Sequence, residues 1–143
     1  MGVFRLAFNI AWFIMGGFIM GLAWWLAGLI CIISIIGIPF AKSCFIIGEM
    51  TFWPFGQNAV NRQTITGHSD IGTGTFGMLG NIIWFLLVGF WLAIGHIICA
   101  IASASASAIA SAITIIGIPF AFQHLKLAKL TVIPIGQTII STQ

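Results

Sequence analysis

The chain has 143 residues, of which 60% are apolar and only 5% charged, with five Lys or Arg, two Asp or Glu and a formal net charge of +3. A soluble domain of this size carries about a quarter of its residues as charges, so this composition excludes a surface bathed in water on all sides and leaves the bilayer as solvent. Five isolated cations also exclude the basic face of a nucleic-acid-binding protein, and they fit the cytoplasmic excess of Lys and Arg found in membrane proteins.

Met1 to Phe8 carry one cation ahead of an apolar run, as a signal peptide does. The run continues to Ala41 without a small-residue cleavage site and a polar mature domain, so the segment is expected to stay in the mature protein. Lys42 to Trp53 have mixed polarity and end at Pro54-Phe55-Gly56. Asn58 to Thr75, rich in Asn, Thr, Ser and Gly, read as a polar connecting loop. A second apolar stretch, Phe76 to Ala121, is followed by mixed Phe122 to Ile133 and by Pro134-Ile135-Gly136.

The two halves repeat. Asn9, Trp12, Gly17 and Phe18 match Asn81, Trp84, Gly89 and Phe90 at one offset. Ile35-Ile36-Gly37-Ile38-Pro39-Phe40-Ala41 recurs letter for letter as Ile115-Ile116-Gly117-Ile118-Pro119-Phe120-Ala121, and Pro54-Phe55-Gly56-Gln57 as Pro134-Ile135-Gly136-Gln137. The later matches are offset by eight more residues than the earlier ones, which places a surplus at about 103–110, inside the alternating Ser and Ala of Ala102 to Ala112. In one regular helix that surplus adds about 12 Å and turns the following side chains by roughly 80 degrees, so the copies are not expected to be symmetric.

Each apolar stretch is too long for one untilted span of about 20 residues. Either each copy is a hairpin turning near Trp24-Trp25-Leu26-Ala27-Gly28 and near Gly95-His96, or each is one long span followed by an interfacial segment. The positive-inside rule favours the hairpin, which puts Arg5, Lys42, Arg62, Lys126 and Lys129 on one side and the Trp pair at the outer interface. The fold expected is an all-α integral membrane protein with two tandem repeats, residues 3–57 and 76–140, joined by the loop 58–75. Each repeat is a short transmembrane helical hairpin followed by an amphipathic helix at the cytoplasmic interface, with Lys snorkelling to the head groups. The rival is a continuous helix kinked at Pro39 or Pro119, which carries Lys42 and Glu49 into the membrane as an ion pair.

The duplicated Ile-Ile-Gly-Ile-Pro and Pro-x-Gly signatures, with Asn-Ile-x-Trp opening each copy, resemble the YccF family of small bacterial inner-membrane proteins with a repeated inner-membrane component domain. The resemblance covers nearly the whole chain, departing mainly in the Ser-Ala surplus. It implies a membrane fold in the bacterial inner membrane and lends no reaction or substrate; the hairpin reading makes the protein multi-pass with both termini expected on the cytoplasmic side.

Gly37, Pro39, Gly117 and Pro119 are the candidate helix breaks, lining a solute path as broken helices do in transporters or simply ending a helix at the membrane surface. Asn9 and Asn81 are candidate polar contacts between helices or into a pore. Gly17 and Gly21, and the stripe Ser103, Ser107 and Ser111, allow close packing within a chain or between chains. Arg5, Lys42, Arg62, Lys126 and Lys129 are the candidate cytoplasmic anchors.

His68-Ser69-Asp70 are adjacent in a loop, not convergent as a triad is, and His96 and His124 read as interfacial residues able to respond to pH. Cys31, Cys44 and Cys99 read as small hydrophobes, so no metal or other cofactor is expected. No nucleotide, metallohydrolase, redox or nucleophile-elbow motif occurs, and the two carboxylates lie in different segments, so no catalytic residues are expected. Two functions fit: a homo-oligomeric channel or small transport protein, anion-permeable through a ring of cytoplasmic cations, and a non-conducting accessory protein packed against a partner complex. The bilayer is the certain partner under both, and the transported substrate or ion is not specified.

Overall fold

The computed structural model describes residues 2–35, 37–109 and 114–142, with the backbone alone for 106–109 and 114–116. In each copy a long helix leaves and a shorter one returns. The first long helix is α1 (Gly2–Trp12), a π-helical segment (Phe13–Gly17) and α2 (Phe18–Ile33); α3 (Ile38–Phe52) returns along it. The second is α5 (Thr75–Trp84), a π-helical segment (Phe85–Gly89) and α6 (Phe90–Ile109), with α7 (Thr114–Val132) returning. Gly16 sits at φ 145° in the first π segment, a kink that Val88 at the matching place could not adopt.

The stretches 2–33 and 75–105 are long and apolar enough to cross a membrane. At about 1.5 Å per residue the first is near 48 Å long, more than the roughly 30 Å of bilayer hydrocarbon. Both face mostly outward, with Val3 and Phe4 about four-fifths exposed, as lipid-facing helices should.

The turns expected near Trp24 to Gly28 and Gly95-His96 are not there; both segments are helical. The first reversal lies at residues 34–37, where the sequence supplies the breakers. The Ser34 hydroxyl donates to Cys31 O and accepts from Gly37 N, Ile35 takes φ 61°, and Pro39 falls in the first turn of α3, where its missing N–H costs no helical bond. Gly28 does not break its helix; it admits the ring of Phe45 from α3. Trp24, expected at the outer interface, is buried against Trp84.

Among the described residues, part of the Ser-Ala surplus lengthens each arm. α6 has 20 residues where α2 has 16, and α7 has 19 where α3 has 15. Four residues are about 6 Å of helix, so the second hairpin is longer at its tip and unchanged at its base. Pro119 consequently lies inside α7, whereas Pro39 opens α3.

The fold is not wholly helical. Gln57–Asn61 (β1) and Gln137–Ser141 (β2) pair antiparallel, Gln57 opposite Ser141 and Asn61 opposite Gln137. Part of the expected connecting loop is therefore strand, followed by the short helix α4 (Arg62–Thr66). Each strand is launched by a turn in which Gln57 N or Gln137 N donates to Pro54 O or Pro134 O at 3.3 Å. The glycine at the third position, Gly56 or Gly136, takes φ 88°, the left-handed value a type II turn requires.

Candidate functional site

The ribbon marks one pole of the molecule, and two matching clamps hold each copy to it. Asn9 Nδ2 donates to Phe55 O at 2.9 Å and its Oδ1 accepts from Phe55 N at 3.0 Å. Asn81 does the same with Ile135, at 3.0 and 2.9 Å. One helical turn on, Trp12 Nε1 donates to Thr51 O at 2.7 Å and Trp84 Nε1 to Thr131 O at 2.8 Å. Those carbonyls belong to the last turns of α3 and α7, where a helix leaves acceptors unsatisfied. Asn-x-x-Trp is thus a capping device acting on the helix that returns, and Gly17 and Gly89 leave room for the two indoles. Gly21 likewise meets the ring of Phe52, so both candidate packing glycines serve contacts inside the chain.

The Gly-Ile-Pro-Phe motifs reach the opposite copy. Phe120 packs on Trp12 with centroids 5.2 Å apart, and Phe40 on Trp84 at 5.7 Å. Phe55 also lies 5.8 Å from Phe120. These rings join Ile47, Met50, Leu127 and Leu130 in a single core. Gly37, Pro39, Gly117 and Pro119 therefore position aromatic side chains that fill the space between copies. Ser103 Oγ donates to Cys99 O at 2.8 Å, while Ser111 and the side chain of Ser107 lie outside the described residues.

Four of the five cations, Arg5, Arg62, Lys126 and Lys129, converge on the ribbon pole from distant parts of the chain, whereas Lys42 lies in the second turn of α3, near the hairpin reversal. Arg5 lies against Gly56. Arg62 donates to Gln137 O at 3.2 Å and binds Asp70 through both carboxylate oxygens, Nε to Oδ2 at 2.9 Å and Nη2 to Oδ1 at 3.0 Å. Hydrogen bonding from that guanidinium holds the Asp70 carboxyl below the usual carboxylate range. Lys126 Nζ donates to Gln57 O at 3.2 Å. Lys126 and Lys129 line a cavity of about 400 Å³ beside Asn58 and Val60. Lys42 lies on a groove shared with Arg62, Gly72 and Gly136. Among the described residues Arg62–Asp70 is the one ion pair, and the pair of Lys42 with Glu49 that the rival continuous-helix reading offered does not form.

Comparison with known proteins gives the same two units. The family described as YccF, inner membrane component domain, matches residues 7–57 and 79–137, each segment opening just before its clamp asparagine and closing on the first residue of its strand. The chain belongs to the YccF family. It is 32% identical over 140 residues to the inner membrane protein YccF of Escherichia coli (strain K12), covering 97% of this chain and 89% of that one, and equally to that of Shigella flexneri. No solved structure matches. This YccF chain is accordingly a protein of the bacterial inner membrane.

One contact in the YccF chain was not legible in the sequence. His96 of α6 and His124 of α7 meet with Nδ1 atoms 3.3 Å apart, and the His124 ring lies 4.9 Å from that of Trp12. At that distance one imidazole donates and the other accepts. His96 sits within a long apolar helix and is buried, not at an outer turn as its Gly-His sequence suggested. A common helix-pair register for residues 96 and 124 depends on where the hairpin turns, and the sequence pattern pointed to a different turn.

Proposed function

We propose that this YccF chain works as a homo-oligomeric channel or small transport protein that handles anions at the ribbon pole. The observation that carries the reading is the convergence of Arg5, Arg62, Lys126 and Lys129 on one pole, where Asp70 alone supplies a paired countercharge among the described residues. Such an excess raises the local concentration of anions and favours their entry. The space between the two copies is filled by Trp12, Phe120, Phe40 and Trp84, so a solute path belongs between chains, around an axis of the oligomer.

In this arrangement each copy leaves the ribbon pole along its long helix, turns within or across the bilayer and returns. The asparagine clamps support it, because they tie the start of each long helix to the end of the returning one. Both termini and Arg5, Arg62, Lys126 and Lys129 then share the cytoplasmic side, while Lys42 follows the turn.

The ring-filled core also favours a second reading, in which the protein conducts nothing and packs against a partner complex. Leu22, Leu29 and Ile33 on α2, and Trp91, Ile98 and Ile101 on α6, present an apolar surface that suits lipid and protein alike. Native mass in nanodiscs, followed by anion flux from proteoliposomes, separates the two. A closed ring of four or more chains with chloride or phosphate flux supports the channel; a monomer or dimer without flux, co-purifying with a fixed partner, supports the accessory role.

A further inference from the structure

The two copies provide an internal comparison at the ribbon. The face of α7 that passes beneath it carries Lys126 and Lys129, one turn apart, whereas the matching positions of α3 hold Ile46 and Glu49. Both copies end in the same turn and the same asparagine clamp, so two lysines on this face are not a requirement of the fold.

These lysines form one side of the cavity, with the polar Asn58 beside them, and Met50, Leu130 and Ile133 supply an apolar wall. Among the described residues no carboxylate lines it. Lys126 is half-buried, with its ammonium fixed on the Gln57 carbonyl at 3.2 Å, so its remaining donors are held toward the cavity. An ammonium pair beside an aliphatic wall, on a protein whose flanking helices face lipid, matches a molecule with an anionic head and a hydrocarbon tail.

We propose that this cavity is a specific site for the phosphate head group of an acidic phospholipid, held by Lys126 and Lys129 with its acyl chain along Leu130 and Ile133. The shared chemistry is that of a phosphate monoanion, and a soluble phosphate would satisfy the same lysines. The apolar wall is the feature that selects the lipid. The inference rests on reading the ribbon pole as an anion-handling surface, and it holds whether or not the protein conducts.

Native mass spectrometry of the full chain released from phosphatidylcholine nanodiscs containing a minor fraction of phosphatidylglycerol tests it. The expected result is one retained phosphatidylglycerol per chain in preference to phosphatidylcholine. Retention should fall about fivefold in Lys129→Gln, whose exposed side chain is not needed for folding, more than tenfold in the Lys126→Gln/Lys129→Gln pair, and should return in the Arg/Arg pair. Retention unchanged by millimolar inorganic phosphate assigns the site to lipid, and displacement by inorganic phosphate overturns that in favour of a soluble anion. Equal retention of both lipids, or full retention in Lys129→Gln and the double variant, overturns the site altogether. Flux is measured on the same samples: lost retention with intact selective flux isolates this site from conduction, and retained lipid without flux removes only the channel.

Discussion

Asn9 and Phe55, 46 residues apart, exchange two hydrogen bonds through one side-chain amide, which donates to the Phe55 carbonyl and accepts from its N–H. Asn81 and Ile135 repeat the arrangement in the second copy. Removing the amide strands two backbone groups at once. Asn9→Ala and Asn81→Ala are each expected to lower stability by about 1–3 kcal/mol, read as a shift in the denaturation midpoint of the purified protein in mild detergent. Asn9→Asp should cost at least as much, because a carboxylate would then face the Phe55 carbonyl. A change within about 0.5 kcal/mol for either alanine variant would remove the clamp from the account.

Gly17 and Gly21 test whether their spacing serves the chain or an oligomer. A Cβ at Gly17 would collide with the indole of Trp12, and one at Gly21 would lie 2.5 Å from the ring of Phe52. Gly17→Ala is therefore expected to destabilise the monomer fold by about 1–3 kcal/mol through overpacking, leaving native mass unchanged. Loss of oligomer with an unaltered unfolding midpoint would reassign these glycines to a contact between chains.

The pH dependence of the connecting segment follows from Arg62 and Asp70. Asp70 has its pKa depressed in the folded state, so its contribution is present above the unfolded carboxylate pKa of about 4 and is lost as pH falls through the lower folded value. Amide exchange at residues 62–74 should keep constant protection from pH 7 to pH 5, once corrected for intrinsic rates, and loosen only below about pH 4. Asp70→Asn should show the loosened pattern throughout. A transition near neutrality would remove Asp70 as its cause.

Because among the described residues α6 and α7 are each four residues longer than α2 and α3 at the end away from the clamps, a chain lacking residues 103–110 should fold with both clamps intact. Its unfolding midpoint and intrinsic tryptophan emission are the measurements. A deletion variant that fails to accumulate, or whose emission shows Trp84 exposed, would mean that the longer tip supports the base.

The proposed topology makes its own prediction. Thr66→Cys and Thr142→Cys, in a chain with Cys31, Cys44 and Cys99 replaced by Ser, should both resist a membrane-impermeant thiol reagent in intact spheroplasts and react after permeabilisation. Labelling of one before permeabilisation would put the two ends of the ribbon on opposite sides and exclude the shared cytoplasmic pole.

The sequence by itself determined the solvent, the duplication and the punctuation of this protein. Sixty per cent apolar residues with so few charges admit only a membrane, and Pro-x-Gly and Gly-Ile-Pro mark backbone events that proline and glycine dictate locally. Tertiary structure decided what those marks mean. Trp24 and Gly28 look like an interfacial turn, but a helix in lipid keeps its hydrogen bonds unless something breaks them, and Ser34, Ile35 and Gly37 do so ten residues later. The strand at Gln57–Asn61 was hidden because its partner is 80 residues away and neither segment is strand-forming enough to announce a pair alone. Asn9, Trp12, Phe120, His96 and Lys126 each read as a polar or aromatic residue in an apolar run. Their roles depend on which helix end, ring or ribbon carbonyl a distant segment of the same or the other copy brings close, and such long-range proximity is fixed by how the two hairpins close and pack around one core, not by any local pattern.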